Sequence, residues 1–158
     1  MADARDQGLS RRVVGHHLVA VAESCTGGLV SQTLAETEGS GEWFLGGLVA
    51  YSRDVKYSLL GVIPGPVVNE RTAEQMARGV ASMFGASAAI GVTGAAGPDP
   101  QDGVEPGTVM IATWVNRAVD CTTHHFPGDP RTVCAQARDQ AVVALASALR
   151  SSDRVPST

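Results

Sequence analysis

The run Ala22-Glu23-Ser24-Cys25-Thr26-Gly27-Gly28-Leu29-Val30 constrains this chain more than any other stretch. Apolar residues 18–22 lead into it, and residues 31–36, which read as helix, follow it. The pattern predicts a strand that empties into a tight turn carrying two hydroxyls, a thiol and two glycines, with a helix starting at once. Such a junction aims backbone N–H groups and the positive end of a helix dipole at one spot. Gly27 and Gly28 let a ligand approach the backbone closely, and Thr26 is placed to cap the helix. An ordinary connection whose polar residues only cap would leave the same local pattern. The decision falls to the rest of the chain.

A second junction of this kind lies at 88–98, where the apolar strand pattern of 88–92 runs into Thr93-Gly94-Ala95-Ala96-Gly97-Pro98. Between the two, residues 43–51 are aromatic and apolar and predict a buried strand. Ser52 is placed to cap a helix over 53–60 that Gly61 closes, and a longer amphipathic helix follows from Asn69-Glu70 to Gly85. Strands over 107–115 and 119–126 flank Asn116-Arg117-Ala118, a hairpin connection and hence an antiparallel pair. A last helix spans 131–149. Residues 1–14 suit a short first helix, Gly15-His16-His17 a solvated turn, and 151–158 a polar tail. Strands alternating with helices, then a hairpin and a helix, predict an α/β fold: a three-layer α/β/α sandwich around a mixed, mostly parallel sheet, as one domain over 1–150. Ligands of such sheets gather at the carboxyl ends of the strands. If the strands before the two glycine loops are neighbours, both loops open into one pocket.

Composition removes several function classes. With 44% hydrophobic and 18% charged residues in 158, the chain suits a packed core rather than disorder. A net charge of −4 and few aromatic residues leave no footprint for nucleic acid. No segment approaches the length that spans a bilayer, and Cys25, Cys121 and Cys134 fit no zinc or disulfide pattern. A cytoplasmic protein with reduced thiols, no membrane partner and no metal site is the expectation.

The chemistry that remains is hydroxyls, one thiol, one phenol and one lysine: Ser24, Cys25, Thr26, Ser40, Tyr51, Lys56 and Thr93. Tyr51-x4-Lys56 carries a phenol from a strand end and an amine from the helix after it. A desolvated lysine loses its proton more readily and can serve as base to a serine. A surface lysine and an ordinary strand-end tyrosine would fit the same spacing.

Taken in order, five blocks are recognisable: Glu23-Ser24-Cys25-Thr26-Gly27-Gly28; Gly46 to Tyr51-Ser52, Lys56 and Leu60-Gly61-Val62; Thr93-Gly94-Ala95-Ala96-Gly97-Pro98; Pro106-Gly107-Thr108-Val109; and Phe126-Pro127-Gly128-Asp129. Together they resemble the C-terminal domain of the CinA (competence/damage-inducible protein) family over about residues 8–150. The family includes stand-alone nicotinamide-nucleotide amidohydrolases. The resemblance implies hydrolysis of the carboxamide of nicotinamide mononucleotide to nicotinate mononucleotide and ammonia, without cofactor or metal. It implies a serine nucleophile assisted by Lys56 and Tyr51, with Ser24, Thr93 and Gly94 lining the substrate. It also implies a phosphate held near Thr26, Gly27 and Gly28 and by a basic residue after Phe126, a homo-oligomer, and a packing role for Cys25.

Two positions depart from the family pattern. Where active members read Pro/Ala-Gly-Ser-Ser, this chain has Glu38-Gly39-Ser40-Gly41, so Gly41 stands where the resemblance places the nucleophile and Ser40 is the hydroxyl left beside it. The basic residue after Gly128-Asp129 is shifted by Pro130 to Arg131. The expectation is a deamidase with Ser40, Tyr51 and Lys56 as catalytic residues and activity weakened by Gly41. A catalytically silent domain that binds a pyridine mononucleotide and acts through a partner, or an amidase of another small amide, stands beside it.

Overall fold

In the computed structural model, which describes residues 7–154, strand β1 (Val19–Glu23) is buried along its whole length and pairs in parallel on both sides. Its neighbours are β2 (Phe44–Val49) and β3 (Ala88–Gly94). Strand β4 (Thr108–Val115) runs antiparallel to β3, and β5 (Ala118–His125) antiparallel to β4. The sheet order is β2-β1-β3-β4-β5, so β4 alone opposes the common direction. The β4–β5 hairpin turns at Asn116 and Arg117, both with positive φ, as a two-residue connection requires.

Helices cover both faces. Helices α1 (Arg11–Val14), α2 (Leu29–Ala35) and α6 (Pro130–Asp153) enclose one half of the core around Val21, Ile90, Ile111 and Leu145. Helix α5 (Glu70–Phe84), with α4 (Arg53–Leu60) against it, encloses the other around Ala22, Ala89, Met76 and Val80. A short helix α3 (Ser40–Trp43) precedes β2. The α/β/α expectation holds, and α4 and α5 run as their caps dictate. Ser52 accepts from the Val55 amide and Asn69 from the Thr72 amide, and Gly61 and Gly85 close each helix in the left-handed conformation. At Gly91 a Cβ would collide with the Ala73 carbonyl, so glycine there lets α5 lie directly on β3.

Three expectations are corrected. The 43–51 segment holds not a fully buried strand but the sheet edge: β2 alternates between half-buried and exposed residues, with Leu45 and Val49 facing solvent. The last helix runs on to Asp153, because residues 150–153 continue it and the Arg150 guanidinium donates to the Gly8 carbonyl. His17 is buried rather than solvated, its Nδ1 3.0 Å from the Ser87 hydroxyl. The parts of the expected first helix at 1–6 and of the tail at 155–158 lie outside the described residues.

Candidate functional site

The β1–α2 junction forms as its sequence predicts, but a different group caps the helix. Thr26 does not cap: the N-cap is Gly28, with φ 108 and no side-chain bond. The fully buried carboxylate of Glu23 does the work from the end of β1. One oxygen accepts from the Thr26 hydroxyl at 2.6 Å and from the amides of Gly28 and Val30 at 3.2 and 2.9 Å. The other accepts from the amide and hydroxyl of Ser31 at 2.8 and 2.6 Å. Gly27 and Leu29 donate to the carbonyls of Ser24 and Thr26. The helix start therefore already holds its anion, and the amides of Gly27 and Gly28 are engaged within the chain.

Beside this turn lies a cavity of about 120 Å³, lined by Ser24, Cys25, Tyr51, the Gly94–Gly97 turn, Asp99 and Gln101. The two glycine loops meet there because β1 and β3 are neighbours. Ser24 is held by its amide on the Val92 carbonyl. Tyr51 is 71% exposed and forms the outer wall. Lys56 lies behind it, buried in α4, with its amine donating to the Tyr51 carbonyl at 2.9 Å. Burial, opposed by Cys25 and Asp102 and helped by the Arg53 charge, brings its pKa down to about 8. Burial pushes the Cys25 thiol up to about 12, with Cys134 adding to the rise. Cys25 is therefore a protonated packing group and its carbonyl accepts from the Cys134 Sγ at 3.0 Å.

Thr93 does not present its hydroxyl to the cavity. It is buried and donates to the Val67 carbonyl at 2.8 Å, while Gly94, next along β3, lines the cavity wall. Arg131 is exposed on the first turn of α6, at the same end of the sheet, behind Asp129, whose side chain caps that helix through Thr132 at 2.8 Å.

Ser40 is elsewhere. Its hydroxyl donates to the Ala35 carbonyl at 2.7 Å, at the far end of α2 and before the first residue of β2. Tyr51 follows the last residue of that strand. Six strand residues at about 3.3 Å each separate the two by roughly 20 Å. Within one chain the expected trio of Ser40, Tyr51 and Lys56 does not assemble. Periodicity could not reveal this, since it assigns a strand but not which end of the sheet its neighbours occupy.

Two residues that the sequence reading passed over hold the site. Glu23 is one. Asp102 is the other: its carboxylate pairs with the Arg53 guanidinium and accepts from the amides of Val67 and Val68 at 2.7 and 3.2 Å. A buried acid at a strand's end, followed by glycines and a helix, was the available signal for Glu23. Asp102 offered none.

Fold and site together place the chain in a family, and it belongs to that of the CinA C-terminal domain, whose model matches residues 5–149. It is 37% identical over 141 residues to a putative competence-damage inducible protein of Desulforamulus reducens, covering 82% of this chain and 34% of that one. It is 39% identical over 139 residues to the nicotinamide-nucleotide amidohydrolase PncC of Enterobacter agglomerans, covering 84% and 83%. The chain thus spans about a third of the competence-damage relatives it matches and most of the amidohydrolase. A CinA superfamily crystal structure from Klebsiella pneumoniae superposes with a TM-score of 0.87 at 28% identity, over 95% of this chain and 99% of that one. No helix among the described residues is long and apolar enough to cross a membrane. Among the described residues no three His, Cys, Asp or Glu side chains gather as a metal site would need.

Proposed function

We propose that this chain hydrolyses the carboxamide of nicotinamide mononucleotide, releasing ammonia. The observation that carries the reading is Lys56: a buried amine whose pKa is lowered to about 8, hydrogen-bonded to the carbonyl of Tyr51, which lines the cavity together with Ser24. The name of the Enterobacter agglomerans relative supports it. Neutral Lys56 takes the proton as a serine oxygen adds to the amide carbon. The tetrahedral intermediate then collapses, the C–N bond breaks, and Lys56 returns the proton to the departing nitrogen. Water hydrolyses the acyl ester and frees a carboxylate. The backbone N–H groups of Ala96 and Gly97 are the donors this reading assigns to the oxyanion, the Ala95 amide being engaged by the Thr108 carbonyl.

Within one chain Ser24 is the serine that lines the cavity. A cavity of about 120 Å³ is smaller than the roughly 300–1,000 Å³ of a typical ligand pocket. It admits the reacting amide, while the ribose and phosphate lie outside, toward Arg131. With Glu23 already on the α2 amides, this reading moves the phosphate from Thr26, Gly27 and Gly28 to Arg131.

The position of Ser40 favours a second reading, a domain that binds the mononucleotide without turning it over. Ammonia release from the mononucleotide, measured for wild type, Lys56→Ala and Ser24→Ala, separates the two. Turnover lost in both variants supports hydrolysis at this cavity. Calorimetric binding by a wild type that releases no ammonia supports the silent reading. Wild-type turnover unchanged by Lys56→Ala overturns the assignment of the base.

A further inference from the structure

Two of the three cysteines meet in the fold although 109 positions separate them in the chain. Cys25 stands on the β1–α2 turn and Cys134 near the start of α6, and the Cys134 Sγ donates to the Cys25 carbonyl at 3.0 Å. With standard bond lengths on either side of that contact, the two Cα atoms lie at most about 8 Å apart, close to the roughly 4.4–6.8 Å of a disulfide. Cys25 packs into the half of the core that holds Val133 and Ala137, the α6 neighbours of Cys134, and it also lines the cavity beside Ser24. Both thiols are half-buried, so neither is sealed from solvent. Cys121 packs into the other half of the core, across the sheet, and does not compete for either.

We propose that Cys25 and Cys134 form an oxidation site, a thiol pair that hydrogen peroxide closes into a disulfide between the cavity wall and α6. Cys134 reacts first, because burial alone raises its thiol, whereas Cys25 is pushed up to about 12. The Cys134 sulfur, its proton lost, takes one oxygen from the peroxide, giving a sulfenic acid and releasing one water. The Cys25 sulfur then attacks the Cys134 sulfur. The S–O bond breaks, the S–S bond forms, and the hydroxyl leaves with the Cys25 proton as a second water. Two thiols and one peroxide become one disulfide and two waters. Closure takes the donor from the Cys25 carbonyl and ties the turn that carries Ser24 to the helix that carries Arg131.

The disulfide stands on geometry alone; its effect on turnover rests on the amidase reading. The full chain is treated with hydrogen peroxide, its remaining thiols are alkylated, and its tryptic peptides are weighed. Cleavage after Arg12, Arg53, Arg117, Arg131 and Arg138 leaves the three cysteines on three separate peptides. The native chain should give the Cys25–Cys134 linked pair, lighter than its parts by two hydrogens, at least tenfold over any pair that includes Cys121. In the urea-unfolded chain the shortest loop closes most readily, so the Cys121–Cys134 pair should dominate instead. Cys134→Ser keeps a donor for the Cys25 carbonyl and should leave Cys25 unlinked. Ammonia release by the wild type should fall at least fivefold on oxidation and return with dithiothreitol, while Cys134→Ser should not respond to peroxide. Cysteines oxidised singly without a link, or the same pairing in native and unfolded chains, overturns the inference. So does a fully linked chain that releases ammonia as before. A linked pair in a chain that releases no ammonia in either state leaves the disulfide standing and sinks the amidase reading. An active chain that never links does the reverse.

Discussion

The amine of Lys56 rests 2.9 Å from the carbonyl oxygen of Tyr51, five residues earlier in the chain. This bond ties the start of α4 to the end of β2 and keeps the lysine amine against the Tyr51 backbone rather than in solvent. A carbonyl accepts from either protonation state, so it orients the amine without holding its proton.

Titration of that amine sets the first expectation. Activity that needs neutral Lys56 should rise with pH through an apparent pKa near 8 and then level. A rate independent of pH between 6.5 and 9, measured on kcat/KM, contradicts it.

The same shift acts on stability with a definite sign. The folded pKa of about 8 is below the model value of 10.5, so the unfolded chain binds the proton more tightly between those values. Stability therefore rises with pH across that window, and the penalty is fully present below it. Lys56→Met removes the penalty and should stabilise the protein at pH 7 by about 2 kcal/mol, or roughly 4–8 °C in Tm. The gain should shrink as pH rises through the window, and a Tm lowered at pH 7 would count against burial as the cause.

Glu23→Gln keeps the volume and removes the charge from the centre of the β1–α2 junction. Its one amide nitrogen takes the place of a single carboxylate oxygen, so either the Ser31 amide and hydroxyl, or the Thr26 hydroxyl with the Gly28 and Val30 amides, lose their acceptor. Charge-assisted bonds contribute about 1.5–3 kcal/mol each, and the loss should total on the order of 3–5 kcal/mol in urea unfolding. A loss under 1 kcal/mol would mean that water replaces the carboxylate.

Thr93→Val deletes the buried bond to the Val67 carbonyl. The unmet acceptor should lower stability by about 1–3 kcal/mol while KM for the mononucleotide changes little. A large rise in KM at unchanged Tm would return Thr93 to the substrate.

Gly41 lies outside the left-handed region, and a Cβ built on it meets nothing within 4 Å. Gly41→Ser should therefore leave stability within about 0.5 kcal/mol. Because that turn lies roughly 20 Å from Tyr51 within one chain, ammonia release should stay within about twofold of wild type, and a tenfold rise would return the nucleophile to this turn.

Local signals were legible where the deciding physics is local. Ser52 and Gly61 bound α4, Asn69 and Gly85 bound α5, and two positive-φ residues turn the β4–β5 hairpin. The apolar run at 43–51 reads the same whether it lies inside a sheet or at its edge, so strand order stayed hidden, and with it the opposite placement of Ser40 and Tyr51. The nearness of the two glycine loops was legible only conditionally, since it required β1 and β3 to be neighbours. Glu23 was passed over for another reason: turn chemistry directs attention to hydroxyls and glycines, while here a carboxylate from the preceding strand accepts from Thr26, Gly28, Val30 and Ser31.

Asp102 gives the cleft a single point of suspension. The 98–106 loop, the first turn of α4 and the Val67-Val68 backbone all hang from its two oxygens. In hydrogen exchange the Val67 and Val68 amides should therefore open together with that loop, as one small cooperative unit below the global unfolding free energy. The wall facing Lys56 then loosens as a whole or stays shut as a whole, and Asp102→Asn should speed exchange on both sides of the cleft at once.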